Sequence, residues 1–188
     1  VFFENVRVKI KDALIGEENK GWTYAKYLLE FERGNAYASG LRNMLRKVKK
    51  IASKEMNGEA PVIRDPDFAR KLSQTEIRIE ALDATEQRVL SALSAGQNVG
   101  PESSMLKYQG SETQQQITEL ALEAAGVYGH PFMHDTLALA EAGSNVDCPT
   151  PEHTLTAAPS YFNYRKTSIY AGSNEIQRNI IAKAVLGL

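Results

Sequence analysis

The sequence predicts a mainly α fold: a bundle of four substantial helices entered from one extended strand. Three observations predict it. Apolar residues recur at steps of three and four from Phe68 to Leu93 and again from Leu106 to Ala124. Helix stops fall at Asn57-Gly58, at Gly96 to Pro101 and at Gly126. The opening Val1-Phe2-Phe3-Glu4-Asn5-Val6-Arg7-Val8 alternates instead at period two.

That opening alternation reads as a half-buried strand. One strand leaves its backbone groups unpaired, so the sheet completing it is expected upstream, in a longer polypeptide. Residues 1–20 are then the end of a central β domain with its linker, and residues 21–188 a helical domain. Asp12 to Gly21 links the strand to a helical run from about Trp22 to Met56. Ala60-Pro61 to Asp65-Pro66 is a loop, and a second helix follows Pro66 with Phe68, Leu72, Thr75, Ile79, Leu82, Val89 and Leu93 on one seam. A third runs from about Ser103 to Ala125. His130 to Pro159 is expected to be irregular, with a short helical piece near Thr136 to Ala142, because Pro149, Pro151 and Pro159 oppose a long helix. The last helix is expected to start near Asn174, which with Gln177 forms a capping-box pattern, and to present Ile176, Ile180, Ile181 and Ala184 as its apolar face.

The 188 residues suffice for one well-buried domain, and 43% hydrophobic with 24% charged residues is ordinary globular composition. A formal net charge of −1 gives no electrostatic footprint for nucleic acid or an anionic membrane. No apolar run approaches the ~18 residues of a membrane span. The single cysteine, Cys148, excludes an intramolecular disulfide and suits a reducing cytoplasm, where the protein is expected. His130 and His134 are separated by Pro131, and no Cys/His cluster accompanies them or His153, so no metal site is expected. The basic stretch Arg42 to Lys50 lacks interleaved aromatics and reads as a solvated helix face.

Two features break the helical pattern. At 100° per residue Ala25, Leu28, Leu29 and Ala36 share a face, and Glu32 projects onto its middle. A carboxylate there is desolvated, and a raised pKa would suit a general base. A structural ion pair inside the bundle, with Arg33 or an arginine of another helix, explains the same pattern and is the commoner arrangement. The second feature is Ile169-Tyr170-Ala171-Gly172-Ser173-Asn174-Glu175-Ile176-Gln177-Arg178, a small-residue turn opening a helix. Such a turn offers free N–H groups to an anion or a polarised carbonyl, although most such turns bind nothing.

The stretch from Ile169 through Arg178 to Asn179-Ile180-Ile181-Ala182-Lys183 resembles the closing signature of the acyl-CoA dehydrogenases. Val1 to Val8 resembles that family's Val-x-Val-Pro strand, with Lys9 at the proline position, and Gly16 to Trp22 resembles its loop into the bundle. In Phe31-Glu32-Arg33, Tyr161 to Lys166 and Ala184 to Leu188 the chain is similar to large subunits of pimeloyl-CoA dehydrogenases. The resemblance implies a C-terminal four-helix bundle preceded by the last strand of the β domain. It also implies a flavoprotein oxidoreductase acting on a CH–CH bond, which desaturates an acyl-CoA thioester with FAD and passes electrons to an electron-transfer flavoprotein. The piece alone is expected to be inactive.

Many family members carry the base directly after the signature tyrosine, where this chain has Ala171. A second group carries it on the first bundle helix before an arginine, the position of Glu32-Arg33. Glu32 is therefore the expected base, with Glu30, Arg33, Tyr170, Ala171 and Gly172 at the acyl-CoA. The resemblance implies flavin contacts from Ser173 and Glu175, and from Glu123 and Gly126 to a neighbouring subunit's flavin. The family's Arg and Phe-Gly element between the first two bundle helices is missing, replaced by Asn57 to Pro66. A homo-oligomer, dimer or tetramer, or a family heteromer is expected. The competing readings are a non-catalytic family subunit and, for the isolated piece, an oligomerisation module.

Overall fold

A computed structural model describes residues 1–32, 36–97, 100–132 and 148–188, without the side chains of 30–32. Helix α1 (Ile10–Ala13) is one turn long, and α2 (Gly21–Glu32) stands apart from the core. The bundle proper is α3 (Ala38–Lys54), α4 (Pro66–Ser94) and α5 (Glu102–Ala125), with two short helices, α6 (Ala157–Tyr164) and α7 (Asn174–Ile181), laid against α5.

Helix α3 buries Leu41, Leu45, Val48, Ile51 and Ala52, the 3–4 spacing of an amphipathic helix. Each such side chain contributes about 1.5–3 kcal/mol on leaving water. Its basic face is solvated and paired with α4: Arg42 bonds Glu80 at 2.8 Å and Asp83 at 2.9 Å, and Lys49 pairs with Glu76. A tight antiparallel hairpin, β1 (Met56–Asn57) on β2 (Ala60–Pro61), reverses the chain. Asp65 then caps α4, its carboxylate accepting from the Asp67 and Phe68 N–H groups at 2.9 and 3.0 Å, with Pro66 at the first helical position. Phe68, Leu72, Thr75, Ile79, Leu82 and Val89 are buried along α4 as the seam predicted, and with them Glu86.

Helix α5 is the centre of the packing, in contact with α3, α4, α6 and α7. Its buried set is dominated by small residues, including Ser104, Gly110, Ser111, Ala121, Ala124 and Ala125, which let helices approach from several sides. The Tyr37 ring lies on Gly110, where a Cβ would stand 2.5 Å from the ring. Gly126 closes α5 at φ +54 and ψ −127, a conformation open essentially to glycine.

Three expectations are corrected. The run from Trp22 to Met56 is two helices, because a new helix N-terminus is fixed at Tyr37–Ala38 by the Glu86 carboxylate. Val1–Val8 is exposed throughout and joins no ladder among the described residues, where β1–β2 is the one pairing. The α7 face departs from its apolar pattern: Asn174 and Gln177 are buried, Ile176 is 50% exposed, and Ile180 and Ile181 are half-buried. Its cap is Ser173 rather than Asn174, which is the first helical residue. The helical piece proposed for Thr136 to Ala142, and His134 with it, lie outside the described residues.

Candidate active site at the closing turn

The turn that opens α7 is built from two consecutive left-handed residues, Ala171 at φ +55 and Gly172 at φ +79. Glycine adopts this freely, whereas alanine pays on the order of 1–2 kcal/mol. Something must therefore hold Ala171 there. From one side the Gln177 amide donates to the Gly172 carbonyl at 3.2 Å, and a Cβ on Gly172 would meet that amide nitrogen at 2.5 Å. From the other, Asn174 is tied into α5: its Oδ1 accepts from the Lys107 ammonium at 2.8 Å and the Ser111 hydroxyl at 3.0 Å, and its Nδ2 donates to Glu112 at 2.9 Å.

The preceding chain is pinned just as firmly. Gln115 of α5 donates to the Arg165 carbonyl at 3.1 Å. The Arg165 guanidinium pairs with Glu119 at 2.7 Å and lies 4.3 Å from the Tyr161 ring centroid. Arg178 reaches the Tyr108 hydroxyl at 2.7 Å. Ala171 itself is exposed, and among the described residues its N–H meets no backbone acceptor. A rigid, strained turn thus presents a free donor to a neighbouring group, the arrangement that suits a developing oxyanion.

The start of α3 converges on the same region. Glu86, buried in α4, accepts from the Tyr37 and Ala38 N–H groups at 2.5 and 2.9 Å. Burial chiefly, together with the fields of Tyr170 and Glu86, holds the Tyr37 phenol above its ordinary pKa. The Tyr37 ring packs on Gly110, the residue before Ser111, so the start of α3 lies on the stretch of α5 that holds Asn174. Glu32 is the last residue of α2, five positions before Tyr37; its side chain, that of Glu30, and Arg33 lie outside the described residues. The face that placed Glu32 is not packed: Leu28 is 58% exposed, Ala36 is exposed, and Ala25 and Leu29 are half-buried.

The residues expected at the flavin do not assemble within one chain. Ser173 caps α7, accepting from Ile176 N–H at 3.5 Å. The Glu175 carboxylate is held below its usual range by its own backbone N–H first, then by the Ser173 hydroxyl and by Arg178 and Lys107. Glu123 and Gly126 instead line a separate cleft of about 590 Å³ with Met56, Asn57, Phe68 and Tyr128, where Glu123 is bound to Lys71 at 2.7 Å. Fifteen residues of α5 and its cap separate Ser111 from Gly126, roughly 20 Å along the axis. Elsewhere, His153 pairs with Glu55 at 2.6 Å, and Cys148 donates to the Thr150 carbonyl at 2.8 Å.

Sequence reasoning missed Tyr37, Glu86 and Lys107. Glu86 and Lys107 carried a signal of the same kind as Glu32, a charge falling on an otherwise apolar helical face.

Residues 19–186 match the family model for the acyl-CoA dehydrogenase C-terminal domain. The chain belongs to the acyl-CoA dehydrogenase family. It is 28% identical over 189 residues to acyl-CoA dehydrogenase IpdE1 of Mycolicibacterium smegmatis, covering all of this chain and 42% of that protein. It is 25% identical over 189 residues to a 3-(aryl)acrylate reductase of Clostridium sporogenes, covering 99% of this chain and 44% of that protein. The chain therefore spans less than half the length of these curated relatives. The crystal structure of an acyl-CoA dehydrogenase from Geobacillus kaustophilus superposes with a TM-score of 0.75 at 23% identity, over 97% of this chain and 43% of that one. The bundle is thus the family's C-terminal helical fold. No helix among the described residues is long and apolar enough to cross a membrane.

Proposed function

We propose that this domain is the C-terminal part of an FAD-dependent acyl-CoA dehydrogenase that desaturates an acyl-CoA thioester between Cα and Cβ. Residues 1–20 would close its β domain. The observation that carries this reading is the closing turn: a free Ala171 N–H on a strained, doubly anchored backbone, at a position where the side chain offers no carboxylate. In this reading the N–H donates to the thioester carbonyl oxygen and so acidifies the α proton. Glu32, the last residue of α2 and followed by Arg33 in the sequence, takes that proton. Tyr170, Gly172, Glu30 and Arg33 frame the substrate.

Bound FAD supplies the acceptor for the β hydrogen as hydride. The residues here fit part of that group. Ser173 Oγ and the Glu175 carboxylate are acceptors, and Glu175 already occupies its own helix-terminal N–H. They suit hydroxyl groups of the nucleotide rather than its phosphates, whose cations must come from other segments. Glu123 and Gly126, some 20 Å away, suit a nucleotide held by another subunit. Their separation, with the exposed apolar side chains of Trp22, Leu28 and Ile176, favours a homo-oligomer, either dimer or tetramer. A cytoplasmic setting and an electron-transfer flavoprotein as acceptor complete the proposal. Sedimentation of the full-length protein as a monomer at micromolar concentration would contradict the oligomer.

The test of the base is Glu32→Gln in the full-length enzyme. The amide keeps size and hydrogen bonding but is far too weak a base. Stopped-flow flavin bleaching by a matched acyl-CoA should slow by ~10²–10⁴-fold with flavin content unchanged. Unchanged bleaching would place the base elsewhere.

A further inference from the structure

Lys107 is 1% exposed in the middle of the molecule, an unusual place for an ammonium group. Its hydrogen bond goes not to a carboxylate but to the neutral Asn174 Oδ1, 2.8 Å away. Burial pulls its pKa below the ordinary lysine value, and the carboxylates facing it, Glu175 and Glu112, offset this only in part. A neutral donor could serve Asn174 without that desolvation cost, and the Ser111 hydroxyl lies 3.0 Å from the same oxygen, its one proton shared with the Tyr108 carbonyl. Stability alone therefore does not account for a lysine here.

The geometry supplies a reason. Asn174 is the residue after Ser173, and Gln177, one turn on, holds the Gly172 carbonyl. Ala171 at φ +55 is thus clamped through both its successors, and the α5 end of that clamp is Lys107. The charge of Lys107 also lies beneath the N-terminal end of α7, where it adds to the positive end of the helix dipole. We propose that Lys107 is a positioning residue: through Asn174 it sets the strained Tyr170–Ser173 turn so that the Ala171 N–H is aimed at the thioester carbonyl oxygen of an acyl-CoA. This rests on the reading of the chain as an acyl-CoA dehydrogenase.

The experiment compares wild type, Lys107→Met, Ser111→Ala and Lys107→Met/Asn174→Ala in the full-length flavin-loaded enzyme. Three quantities are read: thermal stability, the rate of flavin bleaching, and the infrared frequency of a ¹³C-labelled thioester carbonyl on binding. Wild type should lower that frequency. Lys107→Met should lose much of the lowering and bleach ~10–100-fold more slowly, with KM changed little, as expected for a donor felt in the transition state. Ser111→Ala, which removes one small donor to the same oxygen, should show a smaller loss and keeps the test open should the lysine variant fail to take up flavin. The double variant removes both ends of the Lys107–Asn174 bond but also the Asn174 bonds to Ser111 and Glu112, so it should recover part of the stability without recovering bleaching or the carbonyl shift. A purely structural lysine gives the opposite pattern, with stability and bleaching restored together. That result, or a wild-type carbonyl frequency in both single variants, overturns the proposal. A flavin-loaded wild type that bleaches without any carbonyl shift also overturns it, alone. A wild type that matched acyl-CoA substrates do not bleach overturns the enzyme reading beneath it.

Discussion

Replacing Glu86 tests how α3 is started. The Glu86 carboxylate is 6% exposed and accepts two N–H groups at the first turn of α3, from Tyr37 and Ala38. Tyr37 has no capping side chain of its own, so these donors depend on a residue 49 positions away on another helix. Hydrogen bonds to a charged acceptor contribute about 1.5–3 kcal/mol each, and a buried donor left unpaired costs about 1–3 kcal/mol. Glu86→Ala removes both bonds, strands the Ala38 N–H in a buried site and leaves a cavity. Allowing for relaxation of the exposed end, the loss should be about 3–4 kcal/mol. Glu86→Gln keeps the volume and one acceptor and should cost about 1 kcal/mol. For a domain of this size the alanine variant should melt roughly 10 °C lower, at some 2–4 °C per kcal/mol. Urea unfolding followed by far-ultraviolet circular dichroism gives the free energies, and amide exchange at Tyr37 and Ala38 shows whether the loss is local. An alanine variant within about 0.5 kcal/mol of wild type, the range of an inert surface substitution, would refute the reasoning.

Gly110→Ala places a methyl 2.5 Å from the Tyr37 ring, so overpacking of about 1–3 kcal/mol should outweigh the ~1 kcal/mol gained in helix propensity. A double-mutant cycle with Tyr37→Leu should then show coupling above about 0.5 kcal/mol, and additivity would exclude the ring as the obstacle. Lys107 and Tyr37 predict alkaline pH effects of opposite sign. The folded Lys107 value lies below the unfolded one, so in the window between them the unfolded chain holds a proton the folded chain has released, and stability climbs with pH. Lys107→Met should remove that climb, which denaturation midpoints between neutral pH and the ordinary lysine value will show. The folded Tyr37 value lies above the unfolded one, so its contribution is present below the ordinary tyrosine value and lost as pH rises through the folded value. Tyr37→Phe should flatten that fall, and identical alkaline slopes would deny the burial of the phenol.

How far the sequence revealed this molecule depended on whether a residue's partner lay on its own helix. The α4 seam from Phe68 to Val89 was legible because its spacing is fixed by one helix, whereas Asn57-Gly58 opens the β1–β2 turn and the helix before it already ends at Lys54. The α3 start was not legible, because the group that fixes it, Glu86, comes from α4. The α7 face misled for the same reason. Periodicity sorts residues by polarity, and α7 carries Ile176, Ile180 and Ile181 on one side, yet the residues it buries fully are polar. Asn174 and Gln177 face inward because α5 answers them with Lys107, Ser111 and Glu112 and because the Gly172 carbonyl needs the Gln177 amide. The candidate site shows the same division. Its turn could be read from Tyr170 to Ser173, and the family resemblance supplied Glu32, but the clamp on Ala171 is made by residues more than sixty positions apart. A buried polar face of this kind costs stability and is retained where backbone geometry matters more than cohesion. In the reading proposed for this domain, that geometry is the aim of one N–H. The exposure of Ile176 then follows, since a helix whose inward face holds a turn has mainly its outward face left for apolar contact.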